Sequence, residues 1–323
     1  TTGVRNEIEK MTLRDELAET LTAERSVVYD TLGRMVYDGF RYYQYDLMGR
    51  LVQVRSTTGL ATTNFDPLTG LPVPNAMSGI GELIVHYTYD GLGRLVRVQR
   101  PEAPVGGVCS TLKITDVYYD GVRSVQEVVR AHALMREVEV EHATLRLPQA
   151  ANVYPSSAPP FAGSQWALER ECVHAADPSA YVDDVLAEYV YIDNSGVPSA
   201  THVALYTLSD ANQNIVALAD EQGRLVAQYT YFPYGNVRTA ELMASPSTGS
   251  AWPARVQKAA RLHRLGHQGL PAERLDAPWL DPMGTDTAVS AGGGAHVLGG
   301  YPVSSYSIVY HSRHRIYSPA IGR

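Results

Sequence analysis

Two-residue alternation dominates this chain. Tyrosines recur in pairs as Tyr43-Gln44-Tyr45, Tyr87-Thr88-Tyr89, Tyr189-Val190-Tyr191 and Tyr229-Thr230-Tyr231. A period of two puts both rings of a pair on one face of a strand. Leu51-Val52-Gln53-Val54 and Leu95-Val96-Arg97-Val98 extend the alternation in β-branched residues, with Val52 and Val54 on one side and Gln53 on the other. Helical periodicity is scarce. Glu7 to Glu24 sets Ile8, Met11, Leu13, Leu17 and Leu21 among charges, which predicts a short N-terminal helix. Arg255 to Arg264, after Pro253, predicts another short helix. The rest reads as strand and turn, so the fold class expected is mainly β.

Between the strands one phrase returns. It runs Tyr29-Asp30-Thr31-Leu32-Gly33-Arg34, then Tyr45-Asp46-Leu47-Met48-Gly49-Arg50, then Tyr89-Asp90-Gly91-Leu92-Gly93-Arg94. Weaker echoes stand at Tyr119-Asp120-Gly121-Val122-Arg123 and Asp220-Glu221-Gln222-Gly223-Arg224. Asp bonds the backbone two residues on and Gly takes positive φ, so the phrase predicts a tight hairpin between flanking strands. Each arginine is expected either to pair with the aspartate of its own turn or to stack on a neighbouring tyrosine. The repeat spacing is uneven. Gly, Pro and Ser collect at 56–84, 145–165, 240–252 and 285–300, which read as loop excursions.

Composition narrows the classes. Of 323 residues, 45% are hydrophobic and 19% charged, enough apolar surface to exclude disorder for most of the chain. Net charge is −7, against a nucleic-acid binder with a phosphate-tracking basic face. Twenty-one Tyr against 4 Phe and 3 Trp fit half-buried sheet faces, since tyrosine has an apolar flank and a polar tip. No apolar run is long enough to span a membrane. The first residue, Thr1, and the lack of a signal pattern read as a piece of a longer protein. Cys109 and Cys172 form no CxxC unit; one disulfide or two free buried thiols both remain open.

Candidate chemistry is thin. His263 and His267 are spaced for one helix face, as zinc ligands are, but enclose no glutamate base, and His311 and His314 face opposite sides of a strand. Asp183-Asp184 point apart in a strand, Asp281-Pro282-Met283-Gly284 reads as a turn, and Gly292-Gly293-Gly294 lacks the Lys-Ser/Thr of a phosphate cradle. No catalytic, cofactor or metal residues are assigned. The tyrosine pairs either stack sugars or pack within the sheet.

The Tyr-Asp…Gly-Arg phrases resemble the YD repeats of the Rhs family. The second half of the chain resembles the Rhs-associated core in Leu208-Ser209-Asp210-Ala211-Asn212-Gln213-Asn214, Tyr229-Thr230-Tyr231-Phe232-Pro233-Tyr234-Gly235, Gly266-His267-Gln268-Gly269, and the closing Arg315-Ile316-Tyr317-Ser318-Pro319-Ala320-Ile321-Gly322-Arg323. The resemblance implies a bacterial protein, secreted or at the cell surface. Its antiparallel hairpins would form a curved, spiralling β-ribbon, part of a hollow shell around a C-terminal polymorphic toxin or effector domain. Family members often cleave themselves with aspartates beyond the Gly-Arg box. This chain stops at Arg323, so the shell role is carried over and the protease and toxin roles are not. The structural motif residues implied are Tyr29, Asp30, Gly33, Arg34, Tyr45, Asp46, Gly49, Arg50, Tyr89, Asp90, Gly93, Arg94, Tyr231, Pro233, Gly235, Arg315, Tyr317, Pro319, Gly322 and Arg323. The organisation expected is a helical lead-in at 1–26, repeat hairpins at 27–130, an insertion-rich connector at 131–180, and a core-like β region at 181–323 with a loop insertion at 276–307. The function expected is a non-enzymatic shell segment whose partner is the downstream domain of the same polypeptide. The alternatives are a cell-surface adhesion module binding glycans and a metal-dependent hydrolase using His263, His267 and an acid.

Overall fold

The computed structural model describes residues 10–14, 21–57, 60–66, 71–101, 111–134, 166–175, 185–194, 198–235, 237–245, 252–275, 297–298, 301–302, 308–312 and 315–317. The chain forms two compact units, Thr1–Tyr87 and Thr88–Arg323. Both are built from antiparallel strands that pair in chain order.

The first unit begins with β1 (Lys10–Arg14) and β2 (Leu21–Ser26), an antiparallel pair. The N-terminal helix expected here is corrected by this pair. Met11 and Leu13 alternate around Thr12, and Thr22 follows Leu21; β-branched threonines lose side-chain freedom in a helix and keep it in a ladder. A meander follows: β3 (Val28–Tyr29), β4 (Met35–Tyr37), β5 (Arg41–Tyr45), β6 (Leu51–Thr57) and β7 (Ile80–Tyr89). Val36, Tyr37 and Phe65 form a small core, with the Tyr37 and Phe65 rings stacked at 5.0 Å. Gln53 is only 2% exposed, so β6 is covered on both faces rather than one.

The second unit continues with β8 (Leu95–Pro101), β9 (Thr111–Asp120), β10 (Arg123–Leu134), β11 (Trp166–His174), β12 (Val185–Ile192), β13 (Pro198–Ser209), β14 (Ile215–Ala219), β15 (Leu225–Tyr231) and β16 (Val237–Leu242). Each pairs antiparallel with the next, and among the described residues the run does not close into a barrel. The helix expected after Pro253 is α1 (Ala254–Leu262). It buries Ala259 and Ala260 against one sheet face, on Val190, Ile192, Leu205, Leu218 and Val226. Small residues on α1 permit this close approach. Beyond it β17 (Ala272–Arg274), β18 (Val297–Leu298), β19 (Tyr301–Pro302), β20 (Ile308–Ser312) and β21 (Arg315–Tyr317) add short ladders, β17-β20-β21 joining Tyr310 to the same core.

The turns share one backbone. In the hairpin after β5, Gly49 N–H donates to Asp46 O at 3.0 Å and Asp46 N–H to Arg50 O at 2.9 Å. This is a three-residue loop with a left-handed residue before the bulge. Gly49 supplies φ +80°, where a Cβ would be strained. The same bonds close Asp30–Arg34, Asp90–Arg94 and Asp220–Arg224. They also close Asp210–Asn214, where Gln213 takes the left-handed position at φ +65°.

Candidate functional site

Side chains lock each turn. Asp46 Oδ1 accepts the backbone N–H of Met48 and of Arg50, both at 2.9 Å, and Oδ2 accepts Arg50 Nε at 2.6 Å. Asp30, Asp90 and Asp220 hold Arg34, Arg94 and Arg224 in the same way. Asp210 does so with Asn214, whose amide replaces the guanidinium at 2.8 Å. Asp38 makes a shorter version, binding the N–H of Phe40 and Arg41 and the hydroxyl of Tyr43. In the charged form each carboxylate collects several donors. For Asp90, Asp210 and Asp220 burial opposes the charge, but the donors together outweigh it and hold the carboxyl below its ordinary range.

The same arginines reach the following hairpin. Arg34 lies over the Tyr45 ring at 4.9 Å and donates to Asp46 O at 3.3 Å. Arg94 lies over Tyr119 at 5.0 Å and donates to Gly121 O. The tyrosine answers: Tyr45 OH donates to Met35 O and Tyr119 OH to Leu95 O, both at 2.8 Å. Met35 and Leu95 directly follow Arg34 and Arg94. Both alternatives foreseen for the arginine therefore occur together, pairing with its own aspartate and stacking on the next tyrosine. Burial pushes the Tyr119 hydroxyl up to about 12 and raises Tyr45 further, so these hydroxyls remain donors. Arg224 turns instead to the segment before α1, over the Trp252 ring at 5.0 Å.

Where the arginine is absent, histidine takes its place. His267 Nδ1 pairs with Asn214 Oδ1 at 2.7 Å, and its ring is surrounded by Tyr231, Tyr310 and Tyr317 at 6.5, 5.9 and 6.0 Å. Tyr231 OH donates to Ile215 O at 2.7 Å, the residue after Asn214, repeating the rule above. A Cβ at Gly235 would lie 2.4 Å from the imidazole, at φ +87°, so only glycine fits. Tyr310 OH donates to Gly235 O and Tyr317 OH to Tyr234 O. Pro233 is exposed in that turn. Asn214, Tyr231, Gly235, His267 and Tyr317, far apart in sequence, thus meet in one latch.

A buried charge cluster joins β10, β11 and β12 to α1 and the residues after it. Glu188 is fully buried on β12; its Oε2 meets His263 Nδ1 at 2.7 Å and its Oε1 meets Arg170 Nη1 at 3.3 Å. Arg170 also donates to Leu262 O, and Arg264 pairs with Glu127 of β10. Burial works against the Glu188 charge, yet Arg170 and His263 hold its carboxyl down at about 2. Burial likewise raises the Cys172 thiol, which is unbonded; Cys109 lies outside the described residues. Sequence reading missed Glu188, Arg170 and Glu127, because apolar alternation does not reveal a charge buried on the core face. It missed the Asp210 turn because Gln213 and Asn214 stand where the phrase has Gly and Arg.

Tyr29 and Tyr89 sit half-buried beside their aspartates at the ends of β3 and β7. Arg315 lies in β21. Pro319, Gly322 and Arg323 lie outside the described residues, as do Asp183-Asp184, Asp281–Gly284, Gly292–Gly294 and His314. His263 and His267 face different partners, Glu188 and Asn214, and no group of three metal-ligating side chains occurs among the described residues. The arrangement joins strands; its paired ions and rings are committed to one another.

Three outcomes follow from this geometry. Arg34→Ala should lower stability by about 1–2 kcal/mol in chemical denaturation, and Arg34→Lys should recover less than half, because a single ammonium does not pair and stack as a planar guanidinium does. The depressed Asp220 carboxyl adds stability that is complete above the unfolded value of about 4 and is lost as pH falls through the lower folded value. Asp220→Asn should therefore flatten the acid limb of Tm against pH. Glu188→Ala should cost about 3–5 kcal/mol by stranding Arg170, and Glu188→Leu with Arg170→Met should recover most of it.

No family model matches the chain. No curated protein matches it. Among solved structures it is similar to the Photorhabdus luminescens Tc holotoxin pore with a mutant TccC3, at 12% identity over 94% of this chain and 14% of that one, with a TM-score of 0.31. It is also similar to TcdB2-TccC3 with Cdc42 and to TcdB2-TccC3, each at 14% identity, 97% of this chain, 17% of that chain and a TM-score of 0.22. The chain thus spans 14–17% of the length of these structures.

Proposed function

We propose that the chain is a non-enzymatic wall segment of a bacterial Rhs/YD-repeat protein, secreted or displayed at the cell surface. It encloses or presents a C-terminal toxin or effector domain of the same polypeptide. The observation that carries this is the repeated clamp. Arg34 and Arg94 each close their own turn and grip the tyrosine of the next hairpin, so successive hairpins are cross-linked at equivalent places. A wall has to resist local opening all along its length, and a clamp that recurs from repeat to repeat raises the cost of opening the hairpins it joins. Among the described residues the strands of the second unit pair in chain order without closing into a barrel, as suits a segment of a longer ribbon. Among the described residues no helix is long and apolar enough to cross a membrane.

The test uses the full parent polypeptide, including whatever follows Arg323 in its reading frame. Within the parent, the downstream domain should be digested by trypsin on the order of tenfold more slowly than the same domain expressed alone. Equal rates would overturn the proposal.

A further inference from the structure

The latch around His267 is also where the backbone is strained. Among the described residues Gln213 and Gln268 are the residues other than glycine at positive φ, at +65° and +55°. They flank the latch pair directly: Gln213 precedes Asn214, and Gln268 follows His267. A left-handed residue that carries a side chain persists only where its surroundings hold it, and such residues collect at switches. One amide oxygen ties the two segments together. Asn214 Oδ1 meets His267 Nδ1 at 2.7 Å and accepts the backbone N–H of Gln268 at 3.1 Å.

Chemistry fixes the hydrogen on that imidazole. The Asp210 carboxylate only accepts, so Asn214 must turn its Nδ2–H to Asp210 Oδ2, 2.8 Å away, and its Oδ1 to the ring. That Oδ1 only accepts as well, so Nδ1 carries the hydrogen and a second proton can enter only at Nε2. The groups facing the ring are Asp210 from the β13–β14 turn, Tyr231 of β15, Tyr310 of β20 and Tyr317 of β21. On its own segment His263 and Arg264 turn away, to Glu188 and Glu127. Burial raises all three tyrosines above the ordinary phenol value, so they stay neutral. Their hydroxyl hydrogens are committed to the carbonyls of Ile215, Gly235 and Tyr234. Burial disfavours a charged ring and outweighs the pull of the Asp210 carboxylate, which leaves the His267 imidazole below its ordinary range.

A charged ring has little room to be solvated in place. The Gly235 backbone packs so close that even a Cβ there would overlap the imidazole. To reach water the ring has to move out. In moving it drops Asn214 Oδ1 and takes away the body against which Tyr310 and Tyr317 pack. Relaxation of Gln213 and Gln268 from the left-handed region favours the same movement.

We propose that His267 is a proton-operated latch: mild acid charges its Nε2, frees the ring from Asn214, and loosens β20 and β21 from the β15–β16 turn. The hold is complete above the unfolded histidine value of about 6.5 and is lost as pH falls from there through the lower folded value. The carboxylates of Asp210 and Asp220 lose theirs only below about 4, so the two windows are distinct. The device is independent of the shell reading, since it requires only the folded second unit.

The test is amide hydrogen exchange on the purified chain at about pH 7.5 and about pH 5, with rates expressed as protection factors so that the intrinsic pH dependence cancels. Protection of Ile308–Ser312 and Arg315–Tyr317 should fall at least about fivefold on acidification, while that of Thr111–Asp120 in β9 should hold. His267→Gln keeps a donor for Asn214 Oδ1 and cannot take a second proton, so its protection should be the same at both pH values. Tyr317→Phe removes the bond to Tyr234 O and should lower protection by one factor at both pH values, leaving the acid-to-neutral ratio of the parent. Should His267→Gln fail to fold, the parent decides by itself: an NMR titration of the His267 ring should follow the loss of protection. Unchanged protection of β20 and β21 in the parent would overturn the proposal. So would a His267→Gln variant that keeps the parent's ratio, or a His267 ring that titrates at or above the ordinary histidine value.

Discussion

A guanidinium that closes one turn and grips the next is the contact on which the repeat depends. A hairpin alone is marginal in water, because two strands bury too little to offset their ordering. Arg34 and Arg94 couple each hairpin to its successor through three linked contacts: the ion pair with the turn aspartate, the stack on the next tyrosine, and the bond to the next backbone. The tyrosine returns a bond to the residue after the arginine. Each partner fixes the rotamer of the other, so the entropy of ordering a long side chain is shared over several contacts. An isolated surface ion pair gains little; this one gains from being partly buried under a ring.

The same constraint explains why Tyr45, Tyr119 and Tyr231 are tyrosines. Phenylalanine would stack under the arginine but leave the carbonyls of Met35, Leu95 and Ile215 without the hydroxyl that reaches them. Tryptophan would fill the gap but aim its donor elsewhere. Tyrosine alone has a flat face for the cation and a terminal hydroxyl at the right reach. At Asp210 the loss of the arginine is met by Asn214 and His267, which rebuild the clamp from a different part of the chain. There the hairpin is fastened to the residues after α1 and to β20 and β21 rather than to a following repeat.

The Tyr-Asp…Gly-Arg phrase made the turns and their strands legible, because its chemistry is local: an Asx bond, a left-handed residue and an ion pair within five positions. Local patterns also misled. Ile8 to Leu21 keeps a helical spacing, yet Lys10–Arg14 and Leu21–Ser26 form a ladder, since period alone cannot outweigh the threonines and a strand partner. Glu188, Arg170 and Glu127 were invisible for the opposite reason. Each lies on a strand in an ordinary polar position, and partners from α1 and the segment after it complete the set: His263 for Glu188, Arg264 for Glu127 and the Leu262 carbonyl for Arg170. The latch was half legible: its segments stood out as unusual, but nothing in the linear spacing says that Gly235 must be small because His267 lies against it.

Division of labour between the two faces of the sheet follows. Turn clamps work at the strand ends, and α1 with the charge cluster fastens the inner face. On the outer face Tyr118, Glu171 and Tyr189 differ in kind from the clamp: among the described contacts Tyr118 and Tyr189 have no arginine over them, and Glu171 is held by the Tyr191 hydroxyl and the Gln126 amide. One sequence thus uses tyrosine in two ways, under arginine where hairpins must hold together and beside glutamate and glutamine across neighbouring strands of the second unit.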